Sequence, residues 1–190
     1  LIRCGLLHYQ FETIHPFNDG NGRVGRLLIT LYLAWKGILD EPMLYLSAYL
    51  KTHQQEYYDR LTQVRTDGNF EAWIRFFLEG IREVSRMVLQ TTKRIQVLER
   101  TDSDRLVAHG EGTYGLTLLR GLMRQPVVTA NDVARMVGVS YTKANSLIAA
   151  CEELGILRQI GTGKRNRKFI YNDYVGILSE GTELNPGITA

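Results

Sequence analysis

Cysteine is nearly absent from this 190-residue chain: Cys4 and Cys151 stand far apart, neither with a Cys-x-x-Cys partner. That excludes a disulfide scaffold and a cysteine zinc site. It fits two reduced, buried thiols in a cytoplasmic protein. Long apolar runs are also missing. The longest stretches, such as Leu27–Trp35, are interrupted by Thr30, and none approaches the ~20 residues a membrane helix needs. No basic segment followed by an apolar one marks a signal peptide. Net charge is only +3, and the balance of 44% hydrophobic to 23% charged residues excludes disorder, collagen and coiled coil.

The charge that is present is unevenly spread. Residues 1–119 carry 14 basic and 14 acidic side chains, whereas residues 120–176 carry nine basic against four acidic. A neutral part is followed by a basic one.

Periodicity predicts a mainly α fold. Leu1–Thr13 reads as helix, with no capping residue ahead of it, as if the chain were cut inside a helix. His15–Gly22 is a breaker-rich loop. Helices follow at Arg23–Lys36, closed by Gly37, at Ser47–Arg65 with Ser47 as N-cap, and from Phe70 to about Arg100. Pro42 sits in the turn between the second and third. Thr101–Gly112, with its Asp, Ser, His and Gly, reads as a linker. Beyond it come helices at Tyr114–Arg124, Ala130–Val137 and Tyr141–Leu154. Strands are expected at Ile156–Ile160 and Lys168–Tyr171, with a short helix near Tyr174–Leu178.

Chemistry concentrates in residues 15–26, His-Pro-Phe-Asn-Asp-Gly-Asn-Gly-Arg-Val-Gly-Arg. A Gly-rich loop leads straight into a helix, whose first turn offers free amides and the positive dipole end to an anion. Gly20 and Gly22 let backbone approach a phosphate, and Asn21 offers a side-chain amide between them. Arg23 and Arg26 share one helix face and fork onto phosphate oxygens. Asp19 is a hard oxygen ligand suited to Mg²⁺ bridging phosphates. His15 is a candidate general base. Phe17 is expected to point inward and pin the loop. These parts add up to a nucleotide polyphosphate, a metal and a base.

The stretch resembles the Fic signature, His-x-Phe-x-Asp/Glu-Gly-Asn-Gly-Arg-x-x-Arg, with all eight fixed positions present: His15, Phe17, Asp19, Gly20, Asn21, Gly22, Arg23 and Arg26. The Leu6–Ile14 lead-in, Tyr57-Tyr58 and Trp73–Gly80 also look like Fic segments, so the resemblance covers roughly residues 1–100. It implies a helical fold and an adenylyltransferase that moves AMP from ATP to a Ser, Thr or Tyr hydroxyl of a target protein. In that scheme His15 deprotonates the hydroxyl and Asp19 holds Mg²⁺ against the α- and β-phosphates. Gly20, Asn21 and Gly22 form the anion hole, and Arg23 and Arg26 hold the outer phosphates. Gly25 is counted with this nucleotide site. Tyr57 and Tyr58 stand where the family contacts the nucleoside, Tyr58 being preferred of the two, with helix-face packing as the alternative for the pair. His8 reads as a packing residue. The family's target-presenting flap has no counterpart ahead of Leu1. Its inhibitory helix, whose Glu pairs with the residue matching Arg26, finds no match, the nearest being Ser179–Leu184.

The basic part, Val127–Leu157, resembles a helix-turn-helix, and residues 156–171 resemble a wing. The resulting organisation is a helical core at 1–100, a linker at 101–112, a winged helix-turn-helix domain with a β-hairpin wing at 113–178, and a tail at 179–190. Tyr141, Lys143 and Asn145 are placed to reach a groove of DNA, while Lys164, Arg165 and Arg167 hold phosphates. The competing reading is a protein-docking winged helix, and a homodimer is also open. At the level of function, an AMP-transferring enzyme stands against a DNA-binding regulator that senses nucleotide without turnover. The complete signature, His15 included, favours the enzyme, because a sensor needs no base.

Overall fold

The computed structural model describes residues 1–39, 46–163 and 166–180, so Pro42, Lys164, Arg165 and the end of the Ser179–Leu184 segment lie outside the described residues. The chain divides into two compact units, Leu1–Leu89 and Gln90–Ala190. No helix among the described residues is long and apolar enough to cross a membrane.

The first unit is helical. α1 (Ile2–Ile14) and α2 (Asn21–Trp35) pair across the loop that joins them, and α3 (Leu46–Thr52), α4 (Gln54–Asp67) and the first half of α5 (Phe70–Ala108) complete it. Its core gathers on Trp73 and Phe77, both fully buried, with Tyr57, Ile29 and Leu33 around them. Gly5 lets α1 come close: a Cβ there would lie 2.9 Å from the Phe77 ring, and the Trp73 indole N–H donates to the Gly5 carbonyl at 3.0 Å. Burial of each such ring contributes roughly 1.5–3 kcal/mol. α1 is thereby fixed, and with it the start of the 15–20 loop.

The expected third helix is two. His53 (ψ 36) leaves helical geometry between α3 and α4. Ser47 is the second residue of α3 and not its cap.

The second unit holds the rest of α5, then α6 (Gly112–Leu122), β1 (Val127–Val128), α7 (Ala130–Val137), α8 (Tyr141–Glu153), β2 (Arg158–Ile160), β3 (Lys168–Ile170) and α9 (Asn172–Ser179). The strands form an antiparallel sheet in the order β1-β3-β2, with Val128 opposite Phe169 and Gln159 also opposite Phe169. β1 is too short for alternation to reveal, so the sequence gives no sign of it. α7 is well specified: Thr129 caps it in a reciprocal box with Asp132, and Gly138 closes it at φ 74.

Residues 101–108, expected as linker, continue α5 as one helix of 39 residues. The polar letters mislead because one of them is an internal fixture. Asp102 is 1% exposed and accepts from the Tyr171 hydroxyl at 2.7 Å and from the Arg105 guanidinium at 3.1 Å. Leu106, one turn further, is buried with Leu118, Leu122 and Phe169. A buried carboxylate satisfied on both oxygens costs far less than an unpaired one. Cys4 and Cys151 are buried free thiols, as expected, and desolvation pushes them up to about 11 and about 12.

Candidate active site

α1 stops at His15, which adopts a left-handed conformation (φ 50, ψ 56) while its N–H still donates to the Phe11 carbonyl. That conformation is rare for a residue with a side chain. It turns the chain abruptly out of the helix and leaves the imidazole at the head of the loop, exposed.

The loop closes on Asn21. This side chain is 2% exposed, accepts the Phe17 N–H at 2.9 Å and donates to the Phe17 carbonyl at 2.5 Å. The amide oxygen and one of the two amide N–H groups thus hold the loop, so the side chain expected as a donor beside the glycines also has a structural task. Phe17 itself is 51% exposed, with its ring centroid 6.3 Å from that of Phe11. The loop is pinned by Asn21 on the Phe17 backbone and not by the Phe17 ring.

Gly20 (φ 85) starts α2. Its carbonyl already accepts the N–H groups of Arg23 and Val24, so Asn21 and Gly22 keep the first-turn amides without an intrahelical partner. The two arginines fold back toward this helix start. A Cβ on Gly20 would lie 3.4 Å from Arg23 Nη2, and one on Gly22 would lie 3.2 Å from Arg26 Nη1. The space the two glycines leave is where the guanidiniums lie. Two guanidiniums thus lie near the N-terminal end of α2, where the helix dipole also favours negative charge.

Asp19 stands at the mouth of this spot, with its side chain 93% exposed and paired to Arg23 at 3.2 Å. Its other oxygen accepts the Gly20 N–H at 2.7 Å. Among the described residues no group of three or more His, Cys, Asp or Glu is gathered for a metal. A lone open carboxylate beside an anion site suits an ion that takes the rest of its shell from phosphate and water, which is how Mg²⁺ binds. Asp19 is the residue that would hold it.

Gly25 faces the other way. It is buried, its carbonyl accepts from His8 Nδ1 at 3.0 Å, and a Cβ there would overlap Glu12 Oε1. The structure thus assigns its lack of a side chain to the packing of α1 on α2. His8 is fully buried, and desolvation lowers it to about 4, so the ring is neutral. Since the Gly25 carbonyl can only accept, Nδ1 carries the hydrogen, and Nε2 accepts from the Tyr57 hydroxyl at 3.0 Å. Tyr57 is therefore a core residue whose hydroxyl is already used, and burial pushes that hydroxyl up. Tyr58 is 53% exposed, so of the pair it alone is open to a ligand. The sequence missed Glu12, whose Oε1 is buried without a hydrogen-bond partner.

The second unit uses several residues expected to face DNA. Lys143 is bound by both oxygens of Glu111 at 2.8 and 3.0 Å. Asn145 donates to the Tyr141 carbonyl and accepts from Arg167 at 3.3 Å, and the Arg167 guanidinium also lies 5.2 Å from the Phe169 ring. Tyr141 is exposed. Lys164 and Arg165 fall outside the described residues.

Residues 1–33 match the Fic/DOC family. Over 92 residues the chain is 33% identical to the protein adenylyltransferase Fic of Aedes aegypti, covering 48% of this chain and 17% of that protein. Over 105 residues it is 29% identical to the protein of the same name from Drosophila mojavensis, covering 53% and 20%. A probable protein adenylyltransferase of Aquifex aeolicus is 54% identical over 35 residues, 18% of this chain and 11% of that protein. The chain thus spans a fifth or less of the length of these relatives.

Proposed function

We propose that the first unit carries a site for protein adenylylation: transfer of AMP from ATP to a Ser, Thr or Tyr hydroxyl of a target protein, with release of pyrophosphate. The observation that carries the proposal is the convergence at the start of α2. Arg23 and Arg26 fold over Gly20 and Gly22 at the N-terminal end of α2, and His15 is held in a rare backbone conformation at the head of the same loop. The similarity to named adenylyltransferases supports the same reading.

In this mechanism the amides of Asn21 and Gly22 and the two guanidiniums hold the triphosphate. Asp19 would hold Mg²⁺, which when bound would supply neutralisation of phosphate charge. His15 takes the proton of the target hydroxyl, whose oxygen bonds to the α-phosphorus as the bond from that phosphorus to the β-phosphate bridging oxygen breaks. Pyrophosphate leaves with the bonding pair. Most of the rate comes from positioning and fixed charge.

The test is incubation of the protein with α-labelled ATP, Mg²⁺ and a lysate, for wild type and His15→Ala. Labelled protein bands are expected from wild type, and a loss of ~10²–10⁴ in rate from the variant with ATP binding retained. Equal labelling by both proteins refutes the assignment of His15, and no labelling by wild type refutes the reaction. A DNA-binding sensor without turnover predicts that second outcome.

For the second unit, the α7-Gly138-α8 pair beside an antiparallel sheet supports a winged-helix reading. The engagement of Lys143 by Glu111 and of Asn145 by Arg167 favours protein docking over base readout. Fluorescence anisotropy on duplex DNA decides the matter: binding that weakens with salt at a slope of about −0.9 per phosphate contact establishes DNA instead.

A further inference from the structure

The first unit holds a cavity of about 610 Å³, framed by α3, α4 and the start of α5. That is the size of a small-molecule site. Its floor is aromatic and firmly held. Tyr49 and Phe76 are 7% and 5% exposed, with ring centroids 5.4 Å apart. The Tyr49 ring sits in the gap left by Gly80, where a Cβ would come within 2.5 Å of it, and His53 lies against it at 4.4 Å between centroids. A tyrosine this deep ordinarily spends its hydroxyl within the fold, as Tyr57 and Tyr171 do. The Tyr49 hydroxyl makes no hydrogen bond among the described residues, and it is not sealed in the core. It is open to the cavity that Tyr49 lines.

The rim is charged and unbalanced. Glu56, Glu71 and Glu79 stand on it against Arg60 and Arg75. Both arginines are already held on their own helices, Arg60 by Glu56 at 2.8 Å and Arg75 by Glu71 at 2.9 Å. Glu79 pairs with Arg82, which does not line the cavity. An ion pair as exposed as that one is weak and exchangeable. Burial pushes the Tyr49 hydroxyl up, and the charges of Glu83, Glu56 and Glu79 push it further. The place where the free hydroxyl lies is therefore one of negative potential.

We propose that this cavity binds a guanidinium group, which lies against the Tyr49–Phe76 floor, forks onto the Glu79 carboxylate and donates to the Tyr49 hydroxyl oxygen. An aromatic floor under a carboxylate calls for a cation. A guanidinium suits it better than an ammonium, because it is flat, weakly hydrated and donates in a fork. The group belongs either to a free alkylguanidine or to an arginine of a polypeptide. This is not the nucleotide site: Glu56 and Arg60, four apart, share one face of α4, whereas Tyr58, two positions from each, does not face with them. The proposal does not depend on the adenylylation reading.

The test is calorimetric titration of the full chain at low ionic strength. The probes are agmatine, a blocked Gly-Arg-Gly peptide, and the same peptide with lysine or with neutral citrulline in place of arginine. Agmatine or the arginine peptide should bind with a Kd of about 1 mM or tighter. The lysine peptide should bind about fivefold more weakly than the arginine peptide, and the citrulline peptide at least about tenfold more weakly. Tyr49→Phe removes the unpartnered hydroxyl and Glu79→Gln removes the charge. Each should weaken binding by about fivefold or more, with the urea midpoint and ATP affinity unchanged.

Tighter binding of the peptide than of agmatine supports a polypeptide as the source, and the reverse order supports a free guanidine. Equal binding of the arginine peptide and either of its substituted forms overturns the guanidinium. Wild-type affinity in both variants overturns the site, as does the failure of every probe to bind. A lowered urea midpoint in Tyr49→Phe shows the hydroxyl to be spent within the fold and overturns the proposal too. Should that variant fail to fold at all, Glu79→Gln decides.

Discussion

Asn21 grips Phe17 by both ends of one peptide backbone, N–H and carbonyl, so a single buried amide closes the loop from which the site is built. Replacing it tests whether that closure is structural or functional. Asn21→Ala removes two hydrogen bonds, one side of which stays partly buried, and should cost about 1–2 kcal/mol by urea denaturation. Asn21→Asp retains acceptance from Phe17 N–H but sets a carboxylate against the Phe17 carbonyl. It should lose more nucleotide affinity than Asn21→Ala, because it also puts negative charge at the anion site.

Arg26 lies over Gly22, and the proposed mechanism gives it an outer phosphate of ATP. Arg26→Ala should weaken ATP binding by roughly 1.5–3 kcal/mol, the worth of a charge-assisted fork. AMP, which lacks the outer phosphates, should bind both proteins nearly equally. Calorimetry with the two nucleotides checks this, and equal ATP affinity contradicts the role.

His8 makes the fold sensitive to acid. The ring is held neutral, at about 4 against an ordinary 6.5, chiefly because it is buried. The unfolded chain therefore takes up the proton first as pH falls. Stability is full above about pH 6.5 and declines toward pH 4, by about 3 kcal/mol in all. His8→Asn keeps a donor for the Gly25 carbonyl and an acceptor for Tyr57, and does not titrate. Its urea midpoints between pH 7 and 4.5 should show a smaller fall than wild type, whatever its stability at pH 7.

Tyr171→Phe should lower stability by about 1–3 kcal/mol, since Asp102 is left with one donor in a buried place. Tyr174→Phe, which removes a half-buried bond to the Met123 carbonyl, should cost less. Similar losses in the two variants mean that Asp102 is not the fixture described above.

The sequence makes the helices of the first unit legible because their apolar faces repeat at helical spacing and their ends carry Gly37 and Gly68. The loop is legible by chemistry: His15, Asp19, Gly20, Arg23 and Arg26 are of types that suit phosphate at that spacing. Direction is not legible. Phe17 is read inward and lies half exposed, and Asn21 is read as a ligand donor and lies buried, because an aromatic ring and a polar amide exchange their usual places when the amide has two backbone partners. Tyr57 and Tyr58 are equivalent as letters, and only the neutral His8 beside one of them decides which is core. The error at residues 101–108 has the same origin. Asp102 carries the signature of a solvated linker until Tyr171, 69 positions later, supplies its partner.

The left-handed backbone at His15 has a consequence for anyone selecting variants of this protein. Only glycine adopts φ 50 without penalty, and the substitution releases up to about 1 kcal/mol at such a position. The residue to which the proposed mechanism gives the proton transfer is thus not the one the local backbone prefers. Ranking this loop by expression yield or melting temperature would favour His15→Gly, a sturdier protein without the imidazole that the proposed reaction uses.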